Sequence, residues 1–306
     1  MNLFEEIGQS FRRGSVLTRL IYINIAVFVA AGLGFVIFRL ATPRVSLSSL
    51  QDLYNLQVMK YLMVPSLPGQ LLLRPWTLVT YMFTHFNFLH LLFNILTFYW
   101  FGQIFLRYLT GRQLVSTYLT GGIAGAVFYI LLLNLVPGLQ ESLGSSMLGA
   151  SASIMAVVVA ITFIAPDFTL NLMFIGEVKL KYITLAFFVL DVLMIASYNA
   201  GGHIAHLGGA LYGYWFYVRY RKGKDAGKWL NQFLESVAGL FRPRTRLNVT
   251  YRKNARYIKD EDYNRNRKSE QKEIDRILDK IAKGGYDSLT REEKETLFQA
   301  SDRNRN

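Results

Sequence analysis

The sequence contains no cysteine among its 306 residues, which excludes disulfides, thiolate nucleophiles and cysteine-ligated metals. Charged residues are scarce as well. They make up 18% of the chain, whereas soluble domains carry roughly 25%. Hydrophobic residues account for 52% of the sequence, and the mean hydropathy is +0.22. These values exclude an ordinary soluble domain and indicate a membrane protein.

The formal net charge of +13 could suggest binding to nucleic acid, so the distribution of the charge matters. Basic residues gather at the ends of apolar runs, such as Arg12 and Arg13 before the first run and the stretch "RKGK" after the last. Such flanking residues usually report membrane topology and contact with anionic lipid. The sequence therefore predicts a lipid bilayer as its surroundings and no nucleic-acid partner.

Six apolar runs are long enough to cross a bilayer. They occupy residues 17–38, 88–105, 114–136, 147–165, 182–198 and 204–218. The loops "VPGLQESLGSS" and "NAGG" carry no basic residue, so the positive-inside rule predicts cytoplasmic termini and an outer start for spans two, four and six. The first run lacks a small-residue cleavage site and is predicted to be retained. Short spans and no evident targeting extension favour a bacterial cell membrane as the location, and an organelle membrane is the alternative.

The predicted organisation divides the chain into four segments. Residues 1–16 form a cytoplasmic N-terminus, 17–220 the transmembrane domain, 221–270 a basic flexible linker, and 271–306 a helical hairpin. Within the domain, residues 41–73 are too long for a simple connector. They are predicted to form an interfacial, partly helical hairpin, and a plain amphipathic loop is the alternative.

The C-terminal hairpin is predicted from helical periodicity and a capping signal. Apolar residues recur at helical spacing at Ile274, Ile277, Leu278 and Ile281, and Leu297 and Phe298 extend the pattern. The stretch "KGG" ends the first helix, and Thr290 to Glu293 forms a capping box for the second. Since nothing in this segment suggests chemistry, we expect it to dock an unknown partner or to mediate self-association.

Polar residues converge at one predicted depth. They lie in the first turns of the three spans that start on the outer side, and they include every histidine in the chain. Span two carries His85, His90 and Asn94, span four carries Ser151 and Ser153, and span six carries His203 and His206. An ionisable group inside a bilayer is costly, by roughly 2–3 kcal/mol or more. Their common depth therefore indicates a functional site.

Small residues indicate which of these spans can touch. Gly149 precedes Ser151, and Gly209 and Gly213 form a G-x-x-x-G motif after His206, so the helix backbones can approach closely. A serine against a histidine is the minimal pair for nucleophilic catalysis. Each feature alone is also common as a packing device in membrane helices. Together, the small residues and the polar side chains predict a serine nucleophile on span four and a histidine base on span six.

Two further side chains could stabilise an oxyanion. His90 and Asn94 are four residues apart, hence on one helical face, and both can donate hydrogen bonds toward one point. Ser153 lies about 200° round the helix from Ser151, so the two serines cannot both face the histidine.

Three motifs resemble those of the rhomboid family of intramembrane serine proteases. "RPWTLVTYMFTHFNFLHLLFN" resembles the family's first loop leading into H-x-x-x-N, "GASAS" its G-x-S-G, and "IAHLGGALYG" its A-H-x-x-G. The resemblance covers about residues 74–220 and implies an all-α fold, a six-helix bundle with a half-embedded first loop. The chain departs from the family pattern at Ala152, where Gly usually follows the serine, at Thr77, where Arg commonly follows the Trp, and at Leu106, where Glu is often found.

The resemblance also implies roles for individual residues. Ser151 would be the nucleophile and His206 the base of a dyad, without cofactor or metal. His90, Asn94 and the backbone N–H of Ser151 would stabilise the oxyanion, with His85 and Gly149 in support. Substrates would be transmembrane segments of membrane proteins, cleaved through an acyl-enzyme.

Two histidines and one carboxylate need separate interpretation. The A-H-x-x-G motif selects His206 over His203, which is expected to line the entrance. Asp191 lies within the fifth predicted span, and an intramembrane carboxylate is a functional candidate. A structural hydrogen bond to a neighbouring helix is favoured for it over completion of a triad.

Two other functions compete with the protease. A catalytically weak or inactive relative would bind membrane proteins through the same fold. A solute or metal transporter would use the four histidines, but no inverted repeat and no carboxylate next to a histidine in the sequence supports it.

Overall fold

The computed structural model describes residues 2–172, 176–197, 199–224, 226–230, 232, 236 and 260–303. The chain forms two compact units, Met1–Arg242 and Pro243–Asn306. We describe each unit by itself.

The first unit is a helical bundle. Within the described residues, its helices include α1 (Leu3–Arg13), α2 (Val16–Ala41), α3 (Leu47–Gln57), α4 (Pro68–Leu73), α5 (Thr77–Thr80), α6 (Phe88–Tyr108), α7 (Gly111–Leu135), α8 (Ser151–Ile164), α9 (Leu180–Met194) and α10 (Ala200–Arg221). The six predicted spans correspond to α2 and α6 to α10. By length and composition, α2, α6 and α7 can cross a membrane, and α8 is apolar but only 14 residues long.

The described part of this unit also contains two short antiparallel strand pairs. Strand β1 (Val64–Pro65) pairs antiparallel with β2 (Ser146–Met147), and β3 (Thr169–Leu172) pairs with β4 (Gly176–Lys179). The second pair, between α8 and α9, was not predicted from the sequence.

Helix α8 is the centre of the bundle. From Ala152 to Thr162 every residue is buried, because α8 packs against α6, α7, α9 and α10. On the α10 side the contact is made by backbone: a Cβ at Gly209 would overlap the carbonyl oxygen of Ala152, and one at Gly213 the carbonyl oxygen of Ala156. The predicted G-x-x-x-G motif is thus the seam between α8 and α10.

The segment between α2 and α6 folds back onto the bundle. It contains α3, a 3₁₀ turn (Met59–Tyr61), β1, α4, α5 and a second 3₁₀ turn (Tyr81–Phe83), so residues 41–73 are partly helical, as the favoured interpretation predicts. The Tyr81 hydroxyl donates to the carbonyl of Gly122 at 2.6 Å, and the Gly149 N–H donates to the carbonyl of Tyr81 at 2.9 Å. The loop therefore holds the residues immediately before Ser151.

The second unit contains α11 (Asp260–Gly284), a 3₁₀ turn (Tyr286–Ser288) and α12 (Arg291–Arg303). The first eleven residues of α11, 260–270, belong to the predicted linker, so the helix begins earlier than the sequence predicts. Of the remaining linker, residues 225, 231, 233–235 and 237–259 lie outside the described residues. Ile277 is buried, whereas Leu278 is 48% exposed and does not join the apolar face.

The predicted capping box is present at the start of α12. The Glu293 carboxylate accepts the Thr290 N–H at 2.8 Å, and the Glu293 N–H donates to the Thr290 hydroxyl at 3.4 Å. The same carboxylate accepts from the Lys280 ammonium of α11 at 2.8 Å, so Glu293 ties the two helices together.

We expect Gly209→Ala to destabilise the first unit by about 1–3 kcal/mol. The added methyl meets a backbone carbonyl, which no rotamer change can move, so α8 and α10 must separate. Gly32→Ala on α2 is the matched control, since a Cβ there meets nothing within 4 Å and alanine favours helix. Thermal unfolding in detergent measures the stability of both variants. Equal melting temperatures for Gly209→Ala and wild type would contradict the close backbone contact between α8 and α10.

We expect the hairpin to lose helix in acid through Glu293. The hydrogen bonds from Lys280 and the Thr290 backbone lower the pKa of Glu293 from 4.5 to about 2. A lowered pKa stabilises the folded state above the unfolded value, and this contribution is lost as pH falls from about 4.5 toward 2. Circular dichroism of a 257–303 fragment should show this loss. In Glu293→Gln the helix signal should already be reduced at pH 7 and change less with acid.

Glu273→Gln serves as the control, because Glu273 bonds only the exposed Arg276 of its own helix among the described contacts and such pairs contribute little. An acid transition in Glu293→Gln as large as that of wild type would contradict the assignment.

Candidate functional site

A cavity of about 300 Å³ lies between α6, α8, α9 and α10. Its polar lining consists of His90, Asn94, Thr97, Ser151, Asp191 and His206. Its apolar lining consists of Phe93, Ile154, Met155, Val158, Phe187 and Leu190. The structure therefore brings four of the predicted site residues together, and it adds Asp191 to them.

Ser151 is the first residue of α8. Its backbone N–H accordingly has no intrahelical acceptor, and the positive end of the helix dipole lies beside its hydroxyl. The preceding turn depends on Gly149, which has φ +119°, a conformation that other residues rarely adopt. The N–H groups of Gly149 and Ala150 are already hydrogen-bonded, so the N–H that the helix start leaves available for an anionic oxygen is that of Ser151.

His206 is oriented by a carboxylate. Its Nδ1 lies 2.7 Å from Oδ1 of Asp191, and Nδ1 of His203 lies 2.8 Å from the same oxygen. Asp191 is only 6% exposed. A neutral ring that donates its Nδ1–H to a carboxylate leaves Nε2 free to accept a proton. His206 thus has the arrangement required of a general base in the cavity that also contains Ser151.

The position of Asp191 corrects the sequence analysis. The apolar run continues to residue 198, which puts Asp191 in the middle of a span, but α9 ends at Met194, so Asp191 lies in its last turn, where α10 begins. Asp191 is hydrogen-bonded to a neighbouring helix, as expected, and its partners there are His203 and the predicted base His206. His203, expected to line the entrance, instead shares the carboxylate. One signal could have revealed this role: Asp191 is the only acidic residue in the six apolar runs.

His85 organises the other side of the site. It is 1% exposed, and its Nε2 lies 3.3 Å from both the Ala150 nitrogen and Nδ2 of Asn94. Burial and the neighbouring His90 lower the pKa of His85 to about 4, so the ring is neutral and Nε2 can accept both hydrogens. His85 therefore links the turn before Ser151 to α6.

His90 and Asn94 are the predicted oxyanion donors. The His90 ring lies against Gly149: a Cβ there would be 3.2 Å from Nε2 of His90 and 3.8 Å from Oγ of Ser151. Nδ2 of Asn94 lies 2.9 Å from the His90 carbonyl oxygen and 3.3 Å from His85. Both amide hydrogens of Asn94 are thus engaged, and an oxyanion would have to replace the longer bond.

Ser153 and Ala152 face away from the cavity. The Ser153 hydroxyl lies against Gly122 of α7, and the Ala152 methyl lies against Gly125 of the same helix. The methyl that replaces the family's usual glycine is therefore accommodated by α7 and does not line the cavity.

Two family models match the chain. Residues 73–222 match the rhomboid domain, and residues 257–303 match a family of unknown function, DUF6576. The second match covers α11 and α12, including the start of α11 before residue 270.

Three curated relatives are similar to part of the chain. RHOMBOID-like protein 12, mitochondrial, of Arabidopsis thaliana is 28% identical over 158 residues, which are 48% of this chain and 47% of that protein. Presenilin-associated rhomboid-like protein A, mitochondrial, of Danio rerio is 29% identical over 137 residues, 44% of this chain and 34% of that protein. Presenilin-associated rhomboid-like protein, mitochondrial, of Mus musculus is 31% identical over 138 residues, which are 44% of this chain and 35% of that protein.

The chain spans less than half the length of these relatives. All three relatives are named as mitochondrial proteins, so they do not bear out the expectation of a bacterial membrane. The matched domain and the apolar helices α2, α6 and α7 together identify a membrane protein, and the chain belongs to the rhomboid family.

Proposed function

We propose that this protein is an intramembrane serine endopeptidase that hydrolyses peptide bonds in or near transmembrane segments of membrane proteins. The observation that carries the proposal is the shared cavity, in which Ser151, His206 with its Asp191 partner, and His90 line one space. Nucleophile, oriented base and oxyanion donor are the three elements that acyl transfer requires.

The first step is attack by the Ser151 oxygen on the substrate carbonyl carbon. Nε2 of His206 takes the hydroxyl proton, and Asp191 holds the ring by its Nδ1–H and stabilises the imidazolium that forms. The imidazolium then protonates the leaving amine as the C–N bond breaks. Water, deprotonated by the same histidine, hydrolyses the acyl-enzyme and restores Ser151.

The oxyanion would be stabilised by the Ser151 N–H and His90. Asn94 would join them by exchanging its 3.3 Å bond to His85 for a bond to the substrate oxygen. Preorganised donors in a low-dielectric site are worth more than in solution, and loss of one costs roughly 10²- to 10³-fold in rate.

The apolar walls of the cavity support a membrane-embedded substrate. Phe93 of α6 is 65% exposed and Leu190 of α9 is 54% exposed, and both line the cavity. A segment arriving from the lipid can therefore contact apolar surface continuous with the site. The positive-inside rule supports cytoplasmic termini, which would place the site near the outer face.

We expect Ser151→Ala and His206→Ala each to abolish cleavage of a transmembrane substrate, with a loss of at least about 10³-fold. Ser153→Ala is the matched control and should remain active, because Ser153 faces α7. Gel analysis of a substrate with a reporter at each end measures cleavage. Absence of both cleavage and fluorophosphonate labelling in folded wild type would favour the alternative, an inactive relative that binds membrane proteins.

We expect Asp191→Asn to lower kcat by roughly 10²- to 10⁴-fold with little change in KM, because the amide neither stabilises the imidazolium nor enforces one tautomer. The rate of fluorophosphonate labelling of Ser151 should fall in parallel, while the melting temperature reports folding. Unchanged kcat in a folded Asp191→Asn protein would show that Ser151 and His206 work as a dyad and that Asp191 is structural.

A further inference from the structure

Asp191, His203 and His206 form a cluster of potential metal ligands. Oδ1 of Asp191 lies 2.8 Å from Nδ1 of His203 and 2.7 Å from Nδ1 of His206, and the three ligand atoms all lie within 4.8 Å of one another. His203 and His206 are three residues apart on α10, so they share a face. Asp191 approaches them from the end of α9.

We propose that this cluster binds one divalent transition-metal ion of the Zn²⁺ class. Two imidazole nitrogens and one carboxylate oxygen form a common zinc ligand set, with the fourth position left to water. The two helices already hold the ligand atoms together, so little reorganisation is required. The His203 and His206 side chains are 21% and 19% exposed, so the rings are not sealed inside the bundle.

Binding of the metal would switch off the proposed catalysis, and this consequence rests on the proposed function. A neutral imidazole carries one proton, and a metal at Nδ1 of His206 moves that proton to Nε2. Nε2 would then be a donor and could not accept the proton of Ser151. The metal would also take the carboxylate that orients the ring. We therefore infer reversible metal inhibition that acts through the base.

Binding is tested without catalysis, in the Ser151→Ala protein. The protein, in detergent and without a polyhistidine tag, competes with a fluorescent chelator for Zn²⁺. We expect one Zn²⁺ per chain at micromolar or lower free concentration, and at least tenfold weaker binding when His203→Ala or Asp191→Asn is added. Asp167→Asn is the control: Asp167 is an exposed carboxylate bonded to Lys179 and Lys181 and should not matter. Equal affinity in all four proteins, or no stoichiometric binding, overturns the site.

Inhibition is tested separately with active protein. Zn²⁺ should stop wild-type cleavage, a chelator should restore it, and His203→Ala should need at least tenfold more Zn²⁺, each rate taken relative to the same protein without metal. Zn²⁺ binding by Ser151→Ala, combined with no cleavage by metal-free wild type, would support the metal site and reject the protease. Normal cleavage, with neither Zn²⁺ binding nor inhibition by Zn²⁺, would support the protease and reject the metal site.

Discussion

The site depends on how closely α8 and α10 approach each other. Their backbones touch at Gly209 and Gly213, where even a methyl group would overlap a carbonyl oxygen of α8. A base must come within roughly 3 Å of the hydroxyl that it deprotonates, and helices kept apart by larger side chains could not bring Ser151 and His206 into one cavity. The two glycines therefore have a chemical consequence as well as a packing role.

The end of α9 supplies the second constraint. Because α9 ends at Met194 and α10 begins at Ala200, a short connection places the last turn of one helix beside the first turns of the next. A carboxylate so deeply buried is costly unless it is hydrogen-bonded, and the two histidines satisfy Asp191. The same contact orients His206 and creates the cluster in which a metal ion could compete with catalysis.

The loop before α6 and the turn before α8 support each other across the site. Two hydrogen bonds connect these segments: the Ala150 N–H donates to His85, and the Gly149 N–H donates to the carbonyl of Tyr81. A polar residue in an apolar bundle holds one conformation when its partners are fixed. The left-handed turn at Gly149, with the His90 ring packed against it, shows how little space these contacts leave around Ser151.

Hydropathy, periodicity and charge by themselves determined the helical class, the approximate positions of the six apolar helices, the capping box at Thr290 and the convergence of histidines, serines and Asn94 at one depth. Each follows from local chemistry, since burial and helix capping depend on residues near in sequence. The resemblance to the rhomboid motifs then selected Ser151 and His206 from that set. Sequence could not determine that α9 ends at Met194, that Asp191 meets His203 and His206, or that Ala152 points to α7. Those contacts join residues on different helices, and only tertiary packing decides which helix faces meet and at what depth.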